Sequence, residues 1–150
     1  MGQGPLTLPT GGTVYLDAQI FIYTLEKHPT YGPLLSPLWQ AAAAATVRVA
    51  TSELSLMEVL VMPARLGDTV LQHNYETVLS NPDMVLQPIS QAILRRAAHL
   101  RASLKALRTP DAIHAATALE LGCAAFVTND AGFRRILGLP ISLLGDSVGP

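Results

Sequence analysis

Charge is scarce in this chain of 150 residues: 14% of the side chains are Asp, Glu, Lys or Arg, against an apolar share of 49%. With so few charges, each carboxylate needs a reason for its position. The net charge of −1 supplies no basic field of the kind that binds nucleic acid in bulk, although it leaves room for a small catalytic groove. The single cysteine, Cys123, excludes an internal disulfide framework and fits a reducing cytosol; it is expected to pack as a small hydrophobe beside a strand. No basic stretch followed by an apolar core opens the chain. Met1-Gly2 begins like an acylation site, yet Leu6 stands where Ser or Thr is wanted. The alanine run 41–45 is too short to span a bilayer, and Arg48 interrupts its apolar continuation. A soluble cytoplasmic protein with no membrane partner is expected. Also missing are a GxxxxGK phosphate loop, a GxGxxG fingerprint after a strand and a GxSxG elbow. Asp17-Ala18-Gln19 lacks the second acid of phosphatases that use an Asp-x-Asp nucleophile. His28, His73, His99 and His114 are scattered, without metal spacing or a partner cysteine, so no zinc set is available.

The residues that are present alternate between short apolar runs and helical periodicity. Strands are predicted at 14–16, 47–51, 84–87, 124–128 and 141–144, and helices at 20–26, 38–45, 69–79, 90–107, 110–121 and 133–137. Thr109 suits a helix N-cap, Pro110 the first helical position, and Gly122 a stop. Ser55 and Glu58 form a capping-box pattern opening another helix, which Pro63 should kink or end. Residues 29–37 read as a proline-rich turn. The ends, 1–12 and 145–150, are expected to be loose. The pattern implies one α/β domain, with a mainly parallel sheet of about four to five strands flanked by helices.

Three acids sit at element boundaries of this pattern. Asp17 ends the first strand, Asp111 opens the 110–121 helix and Asp130 ends the fourth strand; Glu58 lies early in the helix after the second strand. Singly, each has a bland use as a cap, a turn residue or a complement to a helix dipole. Together, carboxylates converging at the carboxyl edge of a sheet repel one another unless a cation neutralises them. Oxygen donors alone select a hard ion, Mg²⁺ or Mn²⁺. Glu53 rivals Glu58, but five residues apart on one helix the two point about 140° away from each other. His114, three residues after Asp111, either packs or hydrogen-bonds an acid. Arg95, Arg96, Arg101, Lys105 and Arg108 crowd one helical region, as a solvated face or as contacts to the phosphates of a substrate.

Tyr15-Leu16-Asp17, Ser52 through Leu60, the run from Pro110 to Ala116 and Val127-Thr128-Asn129-Asp130 resemble, in order, the motifs of PIN-domain ribonucleases. The similarity is closest to the VapC-like toxins of bacterial toxin–antitoxin pairs and runs from about Val14 to Leu144. It implies a PIN-like three-layer α/β sandwich, hydrolysis of RNA phosphodiester bonds, and one or two Mg²⁺ or Mn²⁺ ions. By that resemblance Asp17, Glu58, Asp111 and Asp130 form the catalytic set. Asp17, Asp111 and Asp130 would ligate metal, with Glu58 holding the ion or a water. Thr128 or Asn129 is a candidate to bond a ligand or the substrate, and His114 is expected to pack or to support the acids from behind, not to ligate. It further implies a homodimer and a cognate antitoxin. Ile20, Leu34, Leu35 and Trp39 are expected to lie exposed on the early helices, as apolar surface for such an interface. Ala18 and Gln19 depart from the family pattern, which commonly carries Thr or Ser followed by Asn. A catalytically silent binding module and another Mg²⁺-dependent phosphoesterase are the competing readings.

Overall fold

The structure, a computed structural model, describes residues 6–147. Five strands form its sheet among these residues: β1 (Thr13–Leu16), β2 (Arg48–Ser52), β3 (Val85–Gln87), β4 (Ala125–Thr128) and β5 (Ile141–Leu143). Their order is β3-β2-β1-β4-β5, and every pairing is parallel. A parallel sheet needs crossovers. Helices α1 (Ala18–Leu25), α2 (Tyr31–Leu34) and α3 (Ser36–Ala43) join β1 to β2, and α4 (Leu54–Leu66) and α5 (Thr69–Leu79) join β2 to β3. Helices α6 (Gln91–Ser103) and α7 (Thr109–Glu120) carry the chain from the β3 edge past β2 and β1 to β4. That reversal makes the gap between β1 and β4 the switch point of the sheet.

Alternation along the strands divides the core in two. Val14, Leu16, Val49 and Val127 face one way, against Ile20, Phe21, Leu38, Val59 and Tyr75 of the first five helices and their joins. Tyr15, Ala50 and Phe126 face the other way, against Ile93 and Ala97 of α6 and Ala112, Ala115 and Ala116 of α7. The small side chains of α7 let its backbone lie close to the sheet. The result is the expected three-layer sandwich, with all strands parallel.

Local differences from the expectation have physical causes. Ser55 does not cap: its hydroxyl is buried, 2.6 Å from that of Thr51, and α4 starts at Leu54 with no side-chain cap bond. Pro63 lies inside α4 and does not end it; the helix stops at Gly67, whose φ is +67°. Asp68 N–H then reaches back to Pro63 O and Gly67 N–H to Ala64 O, closing the last turn after the proline. The 29–37 stretch contains α2 and the start of α3, so it is more helical than a turn. Thr109 is the first residue of α7 and not its cap; its hydroxyl accepts from Arg101. Ile20 and Leu35 are fully buried, contrary to the expected exposure, while Leu34 and Trp39 are half-buried. The large exposed apolar residues include Met57, Met62 and Leu66 of α4 and Val70 of α5. At the ends, Leu6 is in the core and Leu144–Ser147 form a 3₁₀ turn, so the described parts of both ends are packed; 1–5 and 148–150 lie outside the described residues. Cys123 is buried and free, as expected, and burial pushes its thiol up to about 11. Among the described residues no helix is long and apolar enough to cross a membrane.

Candidate active site

A pocket of about 390 Å³ opens at the carboxyl ends of β1 and β4, and Asp17, Glu58, Asp111 and Asp130 all line it. Four different chain segments deliver them. Asp17 follows β1, and the pairing of Leu16 with Val127 brings it beside Thr128. Although Asp17 holds the N-cap position of α1, its side chain makes no cap bond. Its Oδ2 accepts instead from Thr128 Oγ1 at 2.5 Å, and that same hydroxyl oxygen accepts Asp130 N–H at 3.1 Å. One hydroxyl thereby links the ends of the two central strands. Asp17 Oδ1 is buried with no hydrogen-bond partner among the described residues. Burial raises the Asp17 carboxyl from 3.8 to about 6, against the Thr128 hydrogen bond and the attraction of His114, with Glu58 adding to the rise.

Glu58 projects from the second turn of α4, and His114 from α7 meets it, Nε2 to Oε1, at 2.6 Å. Nδ1 of the same ring is 2.6 Å from the Tyr15 hydroxyl, which accepts Ser52 N–H at 3.1 Å. Tyr15 is fully buried, stacked on Phe126 at 5.0 Å, and burial raises its phenol well above the ordinary range. Asp111, in the first turn of α7, pairs with Arg108 at 3.4 Å. Asp130 Oδ1 accepts Gly132 N–H at 2.8 Å. Asn129 lines the pocket and donates to the Tyr23 hydroxyl at 3.1 Å. Gln19 lines it too, exposed beside the buried Ala18. Glu53 is exposed at the N-cap position of α4 and lies outside the pocket lining, whereas Glu58 lines it.

A family model described as PIN domain matches residues 14–139. This chain belongs to the PIN-domain family. No curated protein sequence matches it. Among solved structures it is similar to VapBC2 from Rickettsia felis bound to a DNA fragment from their promoter, with a TM-score of 0.71, 20% identity, and 86% of this chain and 96% of that chain covered. A toxin–antitoxin complex from Klebsiella pneumoniae gives a TM-score of 0.64 at 23% identity, over 87% and 97% of the two chains. VapBC-5 from Mycobacterium tuberculosis, a member of the VapBC family of toxin–antitoxin systems, gives 0.57 at 24% identity, over 90% and 98%. At these identities the likeness is one of fold.

The four acids of this PIN domain share a pocket without closing on one point: among the described residues no three His, Cys, Asp or Glu side chains form a ready metal-ligand group. Like-charged carboxylates gain from standing apart. The basic cluster divides. Arg108 lines the pocket, whereas Arg95 donates to Gln91, Arg96 pairs with Glu120 at 2.5 Å, and Arg101 holds Leu107 O and Thr109 Oγ1 across the α6–α7 join. Lys105 is exposed and outside the pocket lining. Of the five, only Arg108 stands where it can meet a phosphate held at the acids. Arg135 carries no signal in the sequence; it lines a smaller neighbouring pocket of about 170 Å³ together with Arg108, Asp111 and Asp130. Tyr15 reads from sequence as part of a motif but not as a hydrogen-bonding group, and Tyr23 does not stand out at all. No local pattern marks either role, because the partners are far away in sequence.

Proposed function

We propose that this PIN-family protein is a metal-dependent ribonuclease acting as the toxin of a toxin–antitoxin pair. The observation that carries the reading is the gathering of Asp17, Glu58, Asp111 and Asp130, from four separate elements, into one pocket at the switch point of a parallel sheet. The donor set fits a hard divalent ion: every acid offers oxygen, and Asp17 Oδ1 is a buried carboxylate oxygen still without a partner. Asp17, Asp111 and Asp130 would hold Mg²⁺ or Mn²⁺, and Glu58 would help hold the ion or a water. When bound, such an ion lowers the pKa of a coordinated water and offsets charge developing on the phosphate.

The chain's own residues supply position. Thr128 fixes the rotamer of Asp17 and, through its bond from Asp130 N–H, the start of the next turn. Arg108 and Arg135 flank the acids on one side and suit phosphate oxygens of an extended RNA strand. Gln19 offers an amide at the pocket mouth, from the segment where the family commonly carries Thr or Ser followed by Asn. The structural neighbours named as toxin–antitoxin complexes support a cognate antitoxin as partner, and a homodimer in the cytoplasm belongs to the same reading.

The test is cleavage of a structured RNA with Mg²⁺ or Mn²⁺, with chelator, and with the Asp17→Asn variant. Cleavage that needs the metal and vanishes in the variant is expected. Wild-type protein that binds RNA or an antitoxin without cutting would make it a silent binding module, and preference for DNA or a phosphomonoester would redirect the substrate class. Growth arrest relieved by a short reading frame encoded immediately upstream tests the partner. Light scattering showing a monomer at micromolar concentration would count against the dimer.

A further inference from the structure

Among the described residues, Glu58 is the one pocket acid whose carboxylate meets a side chain from the opposite layer of the sandwich. His114 reaches it from α7, on the far side of the sheet from α4, and is itself 3% exposed. Behind His114 stands Tyr15 on the central strand, wholly buried and clamped by its stack on Phe126. The Tyr15 oxygen already accepts Ser52 N–H. If its one proton goes to Nδ1, that nitrogen is the acceptor and the imidazole proton is left on Nε2, facing Glu58 Oε1.

We propose that Tyr15 and His114 are positioning residues for Glu58: the buried tyrosine hydroxyl fixes the Nε2–H tautomer of His114, and that N–H holds the Glu58 carboxylate in the pocket. A packed histidine needs no acid at the pocket wall; here both ring nitrogens are used, and the row ends on a half-buried carboxylate that lines the site. Without the His114 donor, the flexible glutamate side chain is free to leave the pocket for solvent. Tyr15 acts only through His114, and His114 only through Glu58. The kinetic consequence rests on the nuclease reading; the tautomer does not.

Four variants test it: His114→Leu, which removes both bonds; His114→Gln, which keeps an amide donor near the Nε2 position; Tyr15→Phe, which keeps the stack and loses the hydroxyl; and Glu58→Gln as reference. In steady-state RNA cleavage at saturating metal, His114→Leu should lower kcat roughly 10–100-fold, as loss of a partner behind a site carboxylate does, with KM for RNA nearly unchanged. His114→Gln should recover most of that loss, and Tyr15→Phe should show a smaller loss of the same kind. Unchanged kcat in a folded His114→Leu protein, while Glu58→Gln is inactive, overturns the proposal. Should His114→Leu fail to fold, Tyr15→Phe decides it by the same criterion. A second measurement is independent of cleavage. In ¹⁵N-labelled protein at about pH 8, above the ordinary imidazole range, His114 should be the Nε2–H tautomer in the wild type and mixed in Tyr15→Phe. Its Nε2–H resonance should move in Glu58→Gln. An Nδ1–H tautomer in the wild type, or ring signals indifferent to Glu58→Gln, overturns the proposal. Absence of any wild-type cleavage sinks the nuclease reading alone and leaves the spectroscopy to decide this one.

Discussion

Asp17 is a buried acid with one oxygen satisfied and one not, and its raised value makes it a contributor to stability that depends on pH. Between 3.8 and about 6 the folded chain keeps a proton that the unfolded chain has released. The stability Asp17 contributes is thus fully present below 3.8 and is lost as pH rises through about 6. At pH 7 the charged form costs on the order of 3 kcal/mol relative to an unperturbed carboxylate. Thermal midpoints of metal-free wild type should therefore fall relative to Asp17→Asn between about pH 4 and about pH 7; parallel curves would remove this account of the site. Asp111 asks a different question. As a mere complement to the α7 dipole, Asp111→Asn costs about 0.3–1 kcal/mol and spares function. As a metal ligand, it should abolish cleavage, weaken Mg²⁺ binding and leave the metal-free protein as stable or more so. A destabilised variant with full metal-dependent cleavage would dismiss Asp111 from the chemistry. The four pocket acids stand out as candidates in the sequence because each sits near the start or end of an element in a chain with little charge. The Tyr15–His114–Glu58 row does not, since its members are 99 and 56 positions apart and only the sheet register and the packing of α7 join them.

Helix ends show where pattern reading stops. Four helices close with the same pair of backward bonds, and the residue they turn on has positive φ in each: Lys27 after α1, Ala45 after α3, Gly67 after α4 and Gly122 after α7. Two of these are glycines, and Gly122 is readable as a stop. Ala45 is not, because nothing in a run of five alanines marks which one turns; periodicity carries the helix to 45, and it ends at Ala43. Thr46 N–H to Ala41 O and Ala45 N–H to Ala42 O close that end. An L side chain in this conformation is strained by roughly 1–2 kcal/mol, so Ala45→Gly should stabilise the protein by about 0.5–1 kcal/mol after the added chain entropy is set against it. Gly67→Ala should cost about 1 kcal/mol by the same strain; a side chain there meets no atom within 4 Å, so no clash adds to it. Urea titrations of both variants measure this, and an Ala45→Gly protein weaker than wild type would refute the strain. Pro63 misleads for a related reason: its missing N–H removes one helical bond, to Val59 O, without ending the helix, which runs on to its turn at Gly67.

Across the whole molecule, alternation of strand and helix suffices to predict a parallel sheet, but not the order of its strands. The crossover from β3 to β4 skips two strands, and only packing decides how far a crossover reaches. That packing is also why Ile20 and Leu35, apolar on short early helices, are core and not surface. Since β1 pairs with both β2 and β4, a chain ending at Arg108 lacks a neighbour for its central strand and the helix that covers Tyr15. Such a fragment should show no cooperative thermal transition by circular dichroism, and a sharp transition like that of the full chain would contradict the dependence of the fold on β4. The same order of elements has a meaning in time. A ribosome releases Asp17 and Glu58 first, and Asp111, Thr128, which locks Asp17, and Asp130, which completes the pocket, follow only later. If the pocket cuts RNA, the protein stays harmless to the messenger and ribosome that make it until Asp130 has emerged.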